Sequence, residues 1–331
     1  MNNISLEQMK ERLSNIPYGK TFEFSRSFSD DKLLCEKEMH DFSNGGKARI
    51  ESYDLYDGIT LSFSDYLADE TGCIHDSEDE ILEINYCRSG RIGWKMTDKS
   101  TIYLGSGDFT VHTKGLCAGS VMTFPNGYYS GVTLCISLSH LTENPPELIS
   151  DTGITGDFLR RKLCFDGGFT TVAGNEETGA IFGGFFGVPE EIRLPFFRLK
   201  VQELLFYLYR LDLSPQKQTV GYQPEQIEII KQIHSKLTEN LDKRITIEEL
   251  SSQFPINPSS MKILFKAVYG NSIAAHIKEH RMEKAALLLR DSGGSISEIA
   301  GAVGYDSQSK FSSEFKKVYN MLPSEYRRLH R

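Results

Sequence analysis

The chain has 331 residues, 39% hydrophobic and 25% charged, a length that exceeds one ordinary domain and fits two or three, each with its own core. Its 45 acidic and 37 basic side chains give a net charge of −8, which taken whole argues against a nucleic-acid partner. No apolar run approaches the ~20 residues of a membrane span, and the amino end MNNISLEQMKERL is polar and amphipathic rather than signal-like, so a cytoplasmic protein without a membrane segment is expected.

Residues 1–46 read as an N-terminal arm with helix at Leu6–Leu13. Over 47–140 the texture becomes β, in short alternating segments rich in Tyr, Thr, Ile and Val, broken by Asp-Gly, Ser-Gly and Asn-Gly turns at intervals suited to a small barrel. Tyr86–Trp94, with Arg88-Ser89-Gly90 at its tip, reads as a hairpin, and Leu104-Gly-Ser-Gly107-Asp108-Phe109 resembles the Gly-Asp turn of cupin-like barrels. Cupin enzymes hold metal through clustered His and a carboxylate. Here the β region offers only His75 and His112, far apart, so a metal-dependent oxygenase is disfavoured and neither metal nor cofactor is expected. The remaining expectation is a cavity in which His75, Glu83, Asn85, Arg91, Trp94 and Tyr128 contact a small ligand, each set against the plainer reading of a surface or core residue. The six cysteines, Cys35, Cys73, Cys87, Cys117, Cys135 and Cys164, are scattered without a CxxC pair, which points to buried free thiols rather than zinc or disulfides.

The stretch 141–213 turns helical and irregular. Glu147–Ile149 and Gly156–Leu163 read as short helices, Asp166–Phe169 and Thr178–Gly187 as a Gly-rich irregular run, and Pro195–Leu213 as a clear helix. Its face of Leu194, Val201, Leu204, Leu205, Leu208 and Leu211 serves either packing on the barrel or a dimer seam. Residues 214–224, polar and bounded by Pro215 and Pro224, have the composition of a linker. The charge divides at this point. From Tyr222 onward there are 16 Lys and Arg against 13 Asp and Glu, net +3, which leaves 21 basic and 32 acidic residues, net −11, before it. An acidic module joined to a mildly basic one fits a sensor tethered to a nucleic-acid reader.

The segment 225–331 opens with an amphipathic helix at Gln226–Leu241 and then writes one pattern twice. ITIEELSSQFPINPSSMKILFK ends at Phe265-Lys266, and SISEIAGAVGYDSQSKFSSEFK ends at Phe315-Lys316, 50 residues later. Each copy opens with a capping hydroxyl and a Glu three residues on, Thr246 with Glu249 and Ser295 with Glu298. Each then has a breaker, Pro255 or Gly304, and a second helix with apolar positions Met261/Leu264/Phe265/Val268 or Phe311/Phe315/Val318. A helix-turn-helix places its recognition helix there. Between the copies, NSIAAHIKEHRMEKAALLLRD carries Met282, Ala285, Ala286 and Leu289 at i, i+3, i+4, i+7. From Ser272 to Arg290, at ~1.5 Å per residue, it spans ~27 Å, comparable to the ~34 Å between successive major-groove faces.

These residues resemble the AraC/XylS transcription regulators, through Phe265-Lys266-x-x-x-Gly270, Arg281-Met282-x-x-Ala285, Ser295-Ile296-x-x-Ile299-Ala300-x-x-Val303-Gly304-Tyr305, Ser309-x-Phe311-Ser312-x-x-Phe315-Lys316 and Pro323-x-x-Tyr326-Arg327. The likeness covers roughly the last hundred residues. In the β region the hairpin and the Gly-Asp turn are similar to the branch that includes pyochelin-type siderophore regulators. The resemblance implies an α+β multidomain protein: a cupin-like ligand-sensing β-barrel, a helical dimerisation segment, and an all-α carboxy-terminal domain with two helix-turn-helix motifs joined by a linker helix. It implies double-stranded promoter DNA, a small-molecule effector and RNA polymerase as partners, a homodimer, and activation more often than repression.

Exposed positions on the second helix of each copy nominate Ser259, Ser260 and Lys262, with Lys266 towards the backbone, and Gln308, Ser309, Lys310, Ser312 and Ser313, with Lys316 and Lys317 beyond. The resemblance places base readers at Ser259, Lys262, Ile263, Gln308, Ser309, Lys310 and Ser313. Asn320 stands where a Gly usually follows, and Ile263 and Ser313 stand where a basic reader is common. Arg281 is expected to pair with an acid on its own helix. One motif competes: His276-Ile-Lys-Glu279-His280 spells the H-x-x-E-H of zinc peptidases, but it lies inside the repeat and its third ligand would have to come from the second reader, so coincidence is the preferred reading. A ligand-responsive DNA-binding regulator, not an enzyme, is therefore expected. A zinc or cupin enzyme and a ligand-independent DNA-binding protein stand as the alternatives.

Overall fold

The structure, a computed structural model, describes residues 4–26, 33–39, 45–72, 80–96, 99–164, 168–213 and 221–330, with the backbone alone for 22–26 and 33–39. His75, Cys73 and the linker residues 214–220 lie outside the described residues. The chain divides into two compact units, Met1–Gln223 and Pro224–Arg331.

The first unit begins with helix α1 (Leu6–Arg12) and continues through strands β1 (Lys20–Arg26), β2 (Leu33–Met39), β3 (Lys47–Tyr56), β4 (Ile59–Leu67), β5 (Glu70–Gly72), β6 (Ile81–Lys95), β7 (Thr101–Gly105), β8 (Phe109–Thr113), β9 (Val121–Thr123) and β10 (Tyr128–Ser137). Helices α2 (Leu138–Glu143) and α3 (Gly156–Leu163), strand β11 (Thr170–Val172), and helices α4 (Glu176–Gly183) and α5 (Arg193–Arg210) complete it. The main sheet runs β11-β8-β6-β10-β4-β3-β1-β2. Its two ends do not pair with each other among the described residues, so the architecture is a curled half-barrel rather than a closed barrel. The stretch before residue 47 supplies two of these strands, with β1 parallel to β3 and antiparallel to β2.

β6 organises the sheet, and it replaces the hairpin expected at Tyr86–Trp94. Its first half lies between β8 and β10, where Tyr86 pairs with Phe109 and Val132. Its second half lies between β7 and β9, where Trp94 pairs with Ile102 and Met122. Gly90, with φ +76° and Tyr129 Cα 3.1 Å from where its Cβ would stand, turns the strand from one partner set to the other. The chain kinks there instead of reversing, because the residues on either side already pair with other strands.

The strand period separates two cores. Leu82, Ile84 and Tyr86 join Leu61, Val132, Leu134 and the helices in one cluster, in which Tyr86 stacks on Phe182 with centroids 4.4 Å apart. Trp94, Ile92, Leu104, Phe124, Tyr129 and Phe169 form the other. α5 buries Val201, Leu204, Leu205 and Leu208 against the sheet cluster, each contributing ~1.5–3 kcal/mol by its removal from water. The run expected to be irregular at Thr178–Gly187 overlaps α4, which extends to Gly183. Two glycines weaken its propensity, but Asn175 caps it through a capping box and Ile181 and Phe182 are buried in the sheet core.

The second unit is all helical: α6 (Pro224–Glu239), α7 (Ile247–Gln253), α8 (Pro258–Tyr269), α9 (Ile273–Asp291), α10 (Ile296–Ala302), α11 (Gln308–Tyr319) and α12 (Pro323–His330). The stripe Met282, Ala285, Ala286, Leu289 of α9 packs on Ile299, Ala300, Val303, Phe311 and Phe315. Val318 is exposed, and Tyr319 takes the packing position expected of it.

Candidate nucleic-acid interface

The two readers are built by the same local chemistry. In α7 the Thr246 hydroxyl accepts from the Glu249 N–H at 3.2 Å while the Glu249 carboxylate accepts from the Thr246 N–H at 2.7 Å. In α10, Ser295 and Glu298 repeat both bonds at 3.2 and 2.7 Å. These bonds hold both carboxyls below the usual glutamate range, and such a cap stabilises a helix by ~1 kcal/mol. Phe254 ends the first helix in extended conformation, as a residue before proline must. The recognition helices start at the caps Asn257 and Ser307, and both end on a left-handed residue, Gly270 at φ 85° and Asn320 at φ 57°. Asn320 thus serves where glycine is usual, because its short side chain tolerates this region.

α9 is the rod between them, 19 residues or ~28 Å at 1.5 Å per residue. Arg281 does not pair with an acid on its helix. Its guanidinium donates to Lys243 O at 2.9 Å, in the loop before α7, and to Gly304 O at 3.3 Å, in the turn between α10 and α11. One side chain therefore ties the rod to both readers. The carbonyls were invisible to a reading that sought charge partners. Glu314 was likewise missed: it pairs with Lys278 of the rod and, at 2.6 Å, with Lys317. These two partners, Lys278 first, draw its pKa down to about 2.

On α8, Ser259, Lys262, Ile263 and Lys266 are exposed, at the i, i+3, i+4, i+7 spacing of one face. Ser260 is half-buried, and its hydroxyl accepts from the Asn257 amide at 3.0 Å. On α11, Gln308, Ser309, Lys310, Ser313 and Lys316 are exposed and Ser312 is half-buried.

The effector candidates of the first unit do not converge. Asn85 is buried, bonded to His112 Nε2 at 3.1 Å and accepting from Thr133 at 2.7 Å. Glu83 lies beside it, opposite His112 in register, and Trp94 is buried in the second core. Arg91 faces Tyr103, and Tyr128 packs on the α1 cluster of Ile4, Met9, Leu13 and Ile16. None of these five lines the cleft of about 220 Å³ that opens elsewhere on the unit. Its walls include Arg12, Asp65, Tyr53, Arg88, Arg193 and the aromatic rings Phe63, Phe185, Phe186 and Phe197. Arg12 is paired with Asp65 at 2.7 Å, and Arg193 bonds Tyr53 at 2.9 Å with Glu51 3.7 Å away. Arg88 lies over the Phe186 ring at 4.2 Å and has no carboxylate at ion-pair distance among the described residues. The alternation of β strands marks faces, but only the third dimension marks which face opens.

Two helix-turn-helix units on one rod define a tandem DNA-binding domain. A helix-turn-helix domain profile matches residues 250–329. The transposon Tn10 TetD protein of Escherichia coli is 33% identical over 100 residues, which are 30% of this chain and 72% of that protein. The transcriptional regulator Rob of Salmonella typhimurium is 31% identical over 104 residues, 31% of this chain and 36% of that one, so the likeness spans about a third of that regulator's length. Among solved structures, the C-terminal domain of AraT, a response regulator from Geobacillus stearothermophilus, is 32% identical, covering 30% of this chain and 84% of that one with a TM-score of 0.30. The chain belongs to the AraC family of DNA-binding transcription regulators.

The turn at Gly304 carries a test of the shared build. Its φ is +77°, and a Cβ there would stand 2.6 Å from Leu241 O and 2.7 Å from the Arg281 guanidinium. Gly301, one turn earlier in α10, has open space around it. Gly304→Ala is expected to destabilise the second unit by ~2 kcal/mol or more, and Gly301→Ala to leave it unchanged or stabilise it by up to ~1 kcal/mol. Urea unfolding of the two variants measures both.

Proposed function

We propose that this chain is a promoter-binding regulator in which α8 and α11 enter successive major grooves, while the first unit, in the cupin-like sensing role, binds a small anionic effector and pairs two copies. The observation that carries the reading is the rod with two like-built readers, each presenting lysines on its open face. Lys262, Gln308 and Lys310 are the base readers, Lys266 and Lys316 the phosphate contacts, and Ser259, Ser309 and Ser313 the short polar contacts between them. RNA polymerase is the partner on the promoter, and activation is the mode. Genomic sites mapped for the wild type and for Lys310→Ala and Gln308→Ala test this. Occupancy falls for both, by ~1–3 kcal/mol per lost base contact in binding assays; unaltered occupancy in both removes α11 from the interface.

The effector reading rests on the cleft. Burial pulls the Arg88 pKa down, Arg12 nearby adds to this and Asp65 acts against them, and this cation, with no carboxylate at ion-pair distance among the described residues, faces a space walled by four phenylalanines. A carboxylate with a compact apolar body satisfies both. In thermal-shift screens of small carboxylates, a ligand at 100 times its Kd adds ~2.7 kcal/mol of stability, and Arg88→Ala abolishes the shift. A set of ligands that shift both proteins equally moves the anion contact away from Arg88.

The dimer reading rests on the outer face of α5. Leu199 and Phe206 on the helix and Ile192 at its N-cap, exposed by 54, 38 and 49%, stand seven residues apart, a heptad spacing suited to helix pairing. Leu199→Asp with Phe206→Asp is expected to convert the protein to a monomer in sedimentation velocity, whereas an unchanged dimer places the seam elsewhere.

A further inference from the structure

His234, His276 and His280 meet in the second unit, and the regulator reading makes no use of them. His234 comes from α6; His276 and His280 stand one turn apart on α9. One ring nitrogen from each lies within 4.8 Å of the others. The Nε2 atoms of His276 and His280 are 3.1 Å apart, close to the roughly 3.3 Å between two ligands on a tetrahedral ion with metal–nitrogen bonds of ~2.0–2.1 Å. We propose that these three imidazoles form a binding site for a divalent transition-metal ion that clamps α6 to the rod α9.

Three further features fit an ion. His280 Nδ1 lies 3.4 Å from a carboxylate oxygen of Glu283, the arrangement that sets the proton on Nδ1 and turns the Nε2 lone pair to a metal. Tyr269 stacks on His234 at 4.3 Å and Phe265 stands edge-on to His276 at 5.4 Å, so α8 closes an aromatic wall over the group. His276 is buried, and His234 and His280 are half-buried, so the group sits largely out of water. Three imidazoles without a thiolate select zinc, copper, nickel or cobalt over magnesium or calcium, and leave a fourth position for water.

The H-x-x-E-H spelling supplies two of the three ligands, but the third comes from α6 and not from the second reader. The peptidase arrangement is not formed, because Glu279, its general base, accepts from the Asn271 amide at 3.1 and 3.2 Å. The ion acts as a staple of the first reader. It sits one residue from Arg281, so α6, the loop before α7 and the rod are fixed at adjacent points.

The test uses the full chain freed of metal by a chelator and titrated with ZnCl₂ and CoCl₂, without DNA, so its outcome is separate from that of the Lys310 and Gln308 variants. One equivalent binds per chain, Co²⁺ develops the visible absorption of a nitrogen-ligated tetrahedral site, and the melting temperature rises. His234→Ala and His280→Ala, both at half-buried positions, each weaken Zn²⁺ binding at least ~10-fold, as expected when even a supporting partner of a ligand costs that much; His330→Ala leaves it unchanged. Absence of one-per-chain uptake by the wild type overturns the proposal whatever the variants do. So does a His280→Ala protein that melts like the metal-free wild type and still binds Zn²⁺ as tightly.

Discussion

The guanidinium of Arg281 is the contact on which the DNA-binding unit depends. Each helix-turn-helix here is too short to bury a core alone, since domains of this size leave a large part of their surface wet. α9 resolves this by lending one face to both halves. Its Met282–Leu289 stripe completes the core of the second reader, and Ile273 and His276 are buried near its start. Arg281 sits between these regions and donates to a carbonyl of each half. A guanidinium suits the task because its fixed fork spans two acceptors that a lysine would reach only one at a time. Gly304 follows from the same demand: the turn must bring its carbonyl to Arg281, and the space left admits no Cβ.

Much of this unit was legible in the sequence because its determinants are local. Capping boxes, breakers and the i, i+3, i+4, i+7 stripe each lie within one turn or two, and all reappear in the structure. Long-range partners were not legible. Arg281 finds carbonyls 23 and 38 residues away, and backbone oxygen leaves no mark in a sequence. His234 joins His276 across 42 positions, through the packing of α6 on α9, so the pair of histidines one turn apart looked like an isolated spelling.

The first unit illustrates the opposite balance. Alternation in ILEINYCRSGRIGWK correctly marks a strand, but the Ser-Gly in its middle has two physical readings, reversal or kink, and only the strands on either side decide between them. Strands β1 and β2 were hidden for a related reason. KTFEFSR carries a short alternation with two phenylalanines, too brief to separate from an arm. Effector candidates chosen for polarity within the β region scattered, because Asn85 and Trp94 satisfy themselves inside the sheet. The cleft draws instead on α1, the strands and the segment before α5, which no local window contains.

Charge sets a last constraint on how such a molecule acts on DNA. Lys317 is paired with Glu314 on its own helix. Four lysines of the recognition helices, Lys262, Lys266, Lys310 and Lys316, are exposed and have no acid at ion-pair distance among the described residues. Neutralising four phosphates gives a salt slope of about −3.6, well below the value near −10 that strongly electrostatic repressors reach. Helix N-termini capped by Asn257 and Ser307 add phosphate donors without formal charge, but the −11 of the rest of the chain opposes a polyanion at long range. Under the proposed contacts a single copy holds DNA weakly, and serine and isoleucine at several of the proposed reading positions add little discrimination. In the proposed dimer the second contact becomes an intramolecular one, which raises affinity by orders of magnitude without a new side chain on the DNA. On this logic the proposed α5 seam would belong to the reading of DNA as much as the recognition helices do.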